Sequence, residues 1–196
     1  MSNLKHILQK NRVWAEATNA KNPEFLPNLA KVQTPKILWI GCSDSRVPPS
    51  VVADCAPGEL FVHRNVANQT PATDLNFLSV LQFAVCVLKV EDVVVCGHYE
   101  CGGVFEAMSD KKHGLIDNWL SQIKSIIHDH SSELDAISDY QKRYEKLCEM
   151  NVEHQVERIF AILKKVWQVE EHPTIHGLIY DIKSGLLKDL GLTLYS

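Results

Sequence analysis

The sequence has no long apolar run: every apolar stretch breaks well short of the ~20 residues a helix needs to span a bilayer. It has no basic stretch long enough to follow a nucleic-acid backbone, and its net charge is −4, so neither a membrane nor a nucleic acid is an expected partner. The opening residues, MSNLKHILQKNRVWAEA, mix charge with apolar positions and lack the continuous apolar core of a secretory signal. The expected location is therefore the cytoplasm. No repeat period and no low-complexity segment interrupts the chain. What remains is an ordinary globular composition, 45% apolar and 22% charged over 196 residues, enough for one domain with a substantial core.

Six cysteines are present: Cys42, Cys55, Cys86, Cys96, Cys101 and Cys148. In a chain of this length without an export signal, cysteines serve as metal ligands, catalytic groups or small buried hydrophobes more often than as disulfides. Cys96 alternates with strand residues and reads as buried. Cys55, Cys86 and Cys148 have no ligand-like spacing and read as packing residues.

Apolar periodicity places an amphipathic helix over about 3–20, with Leu4, Ile7, Leu8, Val13 and Trp14 as its apolar positions, and a short helical piece from Pro23 to Lys31. Strands are expected at 36–41, Leu60–His63, Val93–Cys96 and 174–181. Helices are expected at 73–89 (Thr73 as cap), 115–128 and about 135–169. Pro48-Pro49 predicts an irregular loop, and Leu186–Leu194 fits either a strand or a helix. Strands alternating with helices predict an α/β fold: a mostly parallel central sheet flanked by helices, preceded by an N-terminal helical arm. In such sheets, sites form beyond the carboxyl ends of the strands. Cys42 follows the strand ending at Gly41, and His98 follows the strand ending at Gly97.

Two stretches carry the chemistry, WIGCSDSR (39–46) and VVVCGHYECGG (93–103). An H-x-x-C pair alone is weak, but His98 and Cys101 with Cys42 make a Cys2His set, which favours zinc with a fourth position open. Asp44 is placed to orient a nucleophilic water, and Arg46 to hold that carboxylate ionised. The bland reading of the pair is a surface ion pair in a polar loop. A thiol-phosphatase or rhodanese loop fits poorly, because only four positions separate Cys42 from Arg46 and Asp44 between them would repel an anion. His128 and His130 read as solvated, and His63, His172 and His176 as structural.

CSDSRVP (42–48), GELFVHRNVAN (58–68) and CGHYECGG (96–103) resemble the β-class carbonic anhydrases. The resemblance runs from Trp14 to about Leu190 and takes in IDNWL (116–120), LCEMNVEHQV (147–156) and IHGLIYDIKSG (175–185). It implies one Zn2+ per chain held by Cys42, His98 and Cys101, with Asp44 and Arg46 as the catalytic dyad. The implied reaction is reversible hydration of carbon dioxide to bicarbonate and a proton by a zinc-held hydroxide. Gln33, Gly102 and Gly103 would line the substrate cleft, Gln33 reaching it across a subunit interface. Ser43 and Ser45 would support the loop. Trp39, Val47, Arg64 and Tyr180 match a bacterial branch regulated by bicarbonate, type II, in which the dyad aspartate can itself ligate zinc at lower pH and close the site. A homodimer pairing into a tetramer is implied, within a single domain over 1–196 whose first 31 residues form the arm.

This chain departs from the family pattern at Phe83, where relatives often have tyrosine, at Cys86, where aspartate is common, and at Leu178, where relatives have tryptophan. The C-terminal helix of close relatives is not found before Ser196. Two other readings stay open on sequence: hydrolysis of carbon disulfide or carbonyl sulfide at the same zinc, and a zinc-holding scaffold without catalysis.

Overall fold

The computed structural model describes residues 3–195. Two compact units divide the chain, Met1–Thr34 and Pro35–Ser196. The first carries helix α1 (Asn3–Lys21) and the short α2 (Phe25–Leu29). On α1, Leu4, Ile7, Leu8 and Val13 are 60–63% exposed, so its apolar positions lie open to solvent.

The second unit is built in the order β1 (Ile37–Cys42), α3 (Pro49–Val52), β2 (Leu60–Asn65), α4 (Leu75–Gln82), β3 (Asp92–His98), α5 (Gly102–Ala107), α6 (Leu115–Asp129), α7 (Ser131–Asp135), α8 (Tyr140–Ala161), β4 (Thr174–Asp181) and β5 (Leu186–Leu194). The five strands form one sheet in the order β2-β1-β3-β4-β5. All neighbours run parallel except β5, which is antiparallel to β4. This is the expected α/β architecture.

β1 and β3 are central strands buried on both faces, which is why their sequences run apolar without alternation. In β1, Leu38, Ile40 and Cys42 enter the main core, while Trp39 points to a second, smaller cluster with Val94 and Cys96. Helix α8 packs across β3 and β4 with Leu147, Val152, Val156 and Ile159 fully or almost fully buried. Its first turn is capped by the Asp139 carboxylate, which accepts from Lys142 N at 2.9 Å.

Several local expectations change. The segment 73–89 is α-helical only to Gln82 and continues as a π-helical stretch, Phe83–Leu88, that ends at Lys89 in the left-handed region. Asp74, not Thr73, caps it, accepting from Asn76 N at 3.0 Å. The segment expected as one helix over 135–169 is α8 followed by a π-helical turn, Ile162–Val166, with the separate α7 before it. Pro49 starts a single helical turn, α3, where a loop was expected, because its fixed φ suits a first helical position. Cys96 and Cys148 are buried as expected, but Cys86 is exposed. The β5 segment resolves as an edge strand.

Candidate active site

The chain leaves β1 toward β2 on one side and returns at β3 on the other. The crevice beyond the carboxyl ends of β1 and β3 is therefore a topological switch point, where parallel sheets open to ligands. Cys42 is the last residue of β1 and His98 the last of β3. Cys101 stands at the N-cap of α5.

These three side chains meet. The two sulfurs and a ring nitrogen of His98 lie within 4.8 Å of one another, with Cys42 Sγ 3.9 Å from Cys101 Sγ. They are 5%, 1% and 1% exposed for Cys42, His98 and Cys101. His98 Nδ1 lies 2.8 Å from the Tyr99 carbonyl. A carbonyl only accepts, so Nδ1 carries the proton and Nε2 offers a lone pair. Nε2 is buried and has no hydrogen-bond partner among the described residues. An orphaned acceptor beside two buried thiols is costly unless a further group satisfies it. Two soft sulfurs and one imidazole nitrogen fit zinc.

The pair of thiols already favours one thiolate. Hydrogen bonding from Cys101 brings the Cys42 thiol well below its ordinary value, with further help from the Asp44 backbone N–H, which donates to Cys42 Sγ at 3.4 Å. Cys101 moves the opposite way, pushed up by its bond to Cys42 and by burial. Its backbone is fixed by the Tyr144 hydroxyl, which donates to the Cys101 carbonyl at 2.7 Å.

Asp44 lies one turn of loop beyond Cys42, with Oδ2 3.9 Å from His98 Nε2. Arg46 grips its carboxylate in bidentate fashion, Nε to Oδ1 at 2.9 Å and Nη2 to Oδ2 at 2.7 Å, and the Arg46 backbone N–H adds a third bond to Oδ1 at 2.9 Å. The guanidinium holds the Asp44 carboxyl at about 2, well below the usual carboxylate range. The loop thus presents a fixed anion beside the buried donor cluster.

A family model described as carbonic anhydrase matches residues 37–187. The chain is 42% identical to a carbonic anhydrase of Emericella nidulans over 95% of its own length and 82% of the relative's. The chain belongs to the β-class carbonic anhydrases. Solved structures agree. One from Sordaria macrospora, described as a tetrameric β-carbonic anhydrase, superposes with a TM-score of 0.88 at 38% identity, covering 97% of this chain and 98% of that one. A Coccomyxa β-carbonic anhydrase in complex with acetazolamide gives 0.93 at 34% identity, over 100% and 90%. Enzyme membership displaces the scaffold reading.

The other expected residues of this carbonic anhydrase fall in different places. Gly103 packs against the turn that follows β2, where an added Cβ would lie 2.8 Å from Val66 Cγ1 and 3.1 Å from Ala67 Cβ; Gly102 faces open space. Gln33 belongs to the N-terminal unit. Trp39 and Tyr180 share the smaller apolar cluster, with the Trp39 indole lying over Gly41, whereas Val47 packs in the main core. Arg64 donates from Nε to the Cys42 carbonyl at 2.7 Å and from Nη2 to the Asp44 carbonyl at 2.6 Å, stitching β2 to the site loop. Ser43 and Ser45 are exposed, and Ser43 N–H donates to the Asn65 carbonyl at 2.8 Å.

Sequence reasoning missed the supports behind the site. Asn151 and Gln155 are buried on α8; Asn151 donates to the Ala67 carbonyl at 3.0 Å, and Gln155 accepts from Thr70 N at 2.9 Å. A polar pair at i, i+4 inside an apolar helical stripe was the available signal. The Glu100 carbonyl, which accepts from Arg46 Nη2 at 2.9 Å, left no such trace.

Proposed function

We propose that this carbonic anhydrase hydrates carbon dioxide reversibly to bicarbonate and a proton, with one zinc per chain held by Cys42, His98 and Cys101 and with Asp44 and Arg46 as its orienting dyad. The carrying observation is the buried, unpartnered His98 Nε2 beside two converging cysteine sulfurs. Zinc, when bound there, supplies a Lewis acid that brings the pKa of a water toward neutrality, as it does in three-histidine carbonic anhydrases. Cys42 arrives at such a site already favoured as thiolate, and His98 already in the tautomer that offers Nε2. Asp44 stays ionised at any physiological pH and accepts the O–H of the attacking water, which aims the oxygen lone pair at carbon dioxide. Arg46 keeps that acceptor in one rotamer. Asp44→Asn should lower kcat about a hundredfold or more while zinc stays at one per chain, measured by stopped-flow hydration and metal analysis. Wild-type turnover in that variant would overturn the dyad; wild-type protein free of zinc would overturn the site.

We propose further that Asp44 can close the site at lower pH, a reading that one proximity supports. Asp44 Oδ2 is 3.9 Å from His98 Nε2, so a carboxylate released by Arg46 would lie beside the residues that would hold zinc and could itself serve as a ligand. In this reading Trp39, Val47, Arg64 and Tyr180 form the bicarbonate pocket that favours closure. It demands the loss of at least the Arg46 Nη2 bond to Oδ2. Activity nearly absent at neutral pH and rising steeply above it supports the switch; high activity at neutral pH removes it.

Assembly as a homodimer, paired into a tetramer, is supported by the open apolar positions of α1. Light scattering that finds only monomer would refute it. Cytoplasmic residence suits a site whose two cysteine sulfurs stand 3.9 Å apart, because an oxidising compartment would threaten it. Among the described residues, no helix is long and apolar enough to cross a membrane.

A further inference from the structure

The loop between His98 and Cys101 is anchored outward at both of its side chains. The Tyr99 hydroxyl donates to Glu149 Oε1 at 2.5 Å, and Lys188 of β5 donates to the same oxygen at 3.0 Å. Glu100 Oε1 accepts from Lys183, in the β4–β5 turn, at 3.0 Å and from Gln141 Nε2, in the first turn of α8, at 2.8 Å. The same two elements, the β4–β5 hairpin and α8, thus grip two consecutive loop residues. Glu100 has φ +59°, the left-handed region that a residue with a Cβ enters only when its surroundings impose it. In that conformation its carbonyl meets Arg46 Nη2 at 2.9 Å, the nitrogen that also holds Asp44 Oδ2.

We infer that Glu100 is a positioning residue for Arg46, and that Lys183 and Gln141 set its carbonyl from outside the site. The inference rests on the Asp44–Arg46 dyad proposed above. Arg46 is half exposed at its side chain, and within the dyad its guanidinium is held only through the two carboxylate oxygens, of which Oδ2 has no other bond. The Glu100 carbonyl adds a backbone acceptor that does not swing, and this fixes the plane. The β4–β5 turn then acts on turnover without touching substrate.

The test uses zinc-loaded protein. Glu100→Ala should lower kcat about three- to tenfold with KM within about twofold and zinc unchanged at one per chain. Lys183→Met should lower kcat about two- to threefold; Lys183 is 68% exposed, so this variant folds without question. Lys183→Arg should keep the wild-type rate. A second readout avoids activity altogether: the Arg46 Nε–H resonance, assigned by its loss in Arg46→Lys, should exchange with solvent several-fold faster in Glu100→Ala. In an Arg46→Ala background, Glu100→Ala should cost nothing further. Wild-type kcat and exchange in Glu100→Ala, or the same proportional loss with and without Arg46, would overturn the inference. If Asp44→Asn and Arg46→Ala are themselves fully active, the dyad has failed; if they are impaired and Glu100→Ala is not, only the positioning role has failed.

Discussion

Gly97→Ala tests whether the helix packed behind the sheet sets the position of a proposed zinc ligand. Gly97 precedes His98 in β3, and an added Cβ would lie 2.5 Å from Val152 Cγ2 and 3.2 Å from Ile179 Cδ1. Carbon atoms at rest stand ~3.5–4.0 Å apart, so an overlap of about 1 Å must be relieved. Val152 cannot easily turn away. It is fully buried on α8, and a β-branched side chain in a helix has one strongly preferred χ1. The relief must come from the helix or the strand. Overpacking of this kind costs about 1–3 kcal/mol, offset by about 0.4–1 kcal/mol because alanine restricts the unfolded chain more than glycine. The net expectation is a destabilisation of about 1–2 kcal/mol, read by urea unfolding with an unchanged m-value.

The second variant identifies the cause. Val152→Ala alone costs about 1–3 kcal/mol through lost burial and a cavity. In the double variant the new Cβ at position 97 takes part of the vacated space, so the two losses should fall short of their sum by about 1 kcal/mol or more. Because the strand shift in Gly97→Ala moves His98, zinc should also leave that variant faster than wild type, and Val152→Ala should reverse the effect. Strict additivity, or a Gly97→Ala protein as stable as wild type, would refute the packing argument.

Arg64→Ala leaves the Cys42 and Asp44 carbonyls without their guanidinium donors and should destabilise by about 1–3 kcal/mol with a fall in kcat; Arg64→Lys should recover only part, because an ammonium cannot reproduce the planar fork. Burial lowers the His63 pKa below its ordinary 6.5, so the unfolded chain takes up a proton that the folded one resists, and stability falls as pH drops below about 6.5. His63→Gln, which can still accept from Asn65 Nδ2, should lose less stability than wild type between pH 7 and 5; equal losses would refute the assignment. On zinc-loaded protein, one equivalent of a maleimide should label Cys86, since Cys42 and Cys101 are buried in the site, Cys96 and Cys148 are buried with thiols pushed up to about 12, and Cys55 is half-buried with its thiol also raised. Mass spectrometry finding the label elsewhere would refute this.

The sequence was most legible where one periodicity dominated. β1 and β3 announce themselves as short apolar runs ending in glycine, and the ends of those runs carry Cys42 and His98. β5 was ambiguous because an edge strand with one partner buries little, and its pattern mixes exposed and half-buried positions without alternation. Helix α5 was invisible because it opens on Gly102-Gly103, poor helix formers, of which Gly103 packs closely against Val66 and Ala67. Cys86 was read as a packing residue only because it lacks ligand-like spacing, which says nothing of the face it presents, and it is exposed on the π-helical stretch. Glu100 could not be read at all, since its part is played by a carbonyl in a left-handed backbone.

The site's electrostatics converge on a single residue. Every polar group of Asp44 is engaged: its N–H with the Cys42 sulfur, its carbonyl with Arg64 and the Val47 N–H, its carboxylate with Arg46. The backbone bonds tie Asp44 to β1 and β2, elements locked by the sheet. Of the carboxylate bonds, the Arg46 backbone N–H holds Oδ1, whereas Oδ2 is held by the guanidinium alone, on a side chain that is 50% exposed. A movement of the Asp44 carboxylate therefore has one soft restraint and several hard ones. Control of Oδ2, the oxygen that faces His98, therefore passes through the guanidinium. That is why the acceptor supplied by Glu100 matters: it is the one bond among these that connects the soft restraint back to rigid backbone.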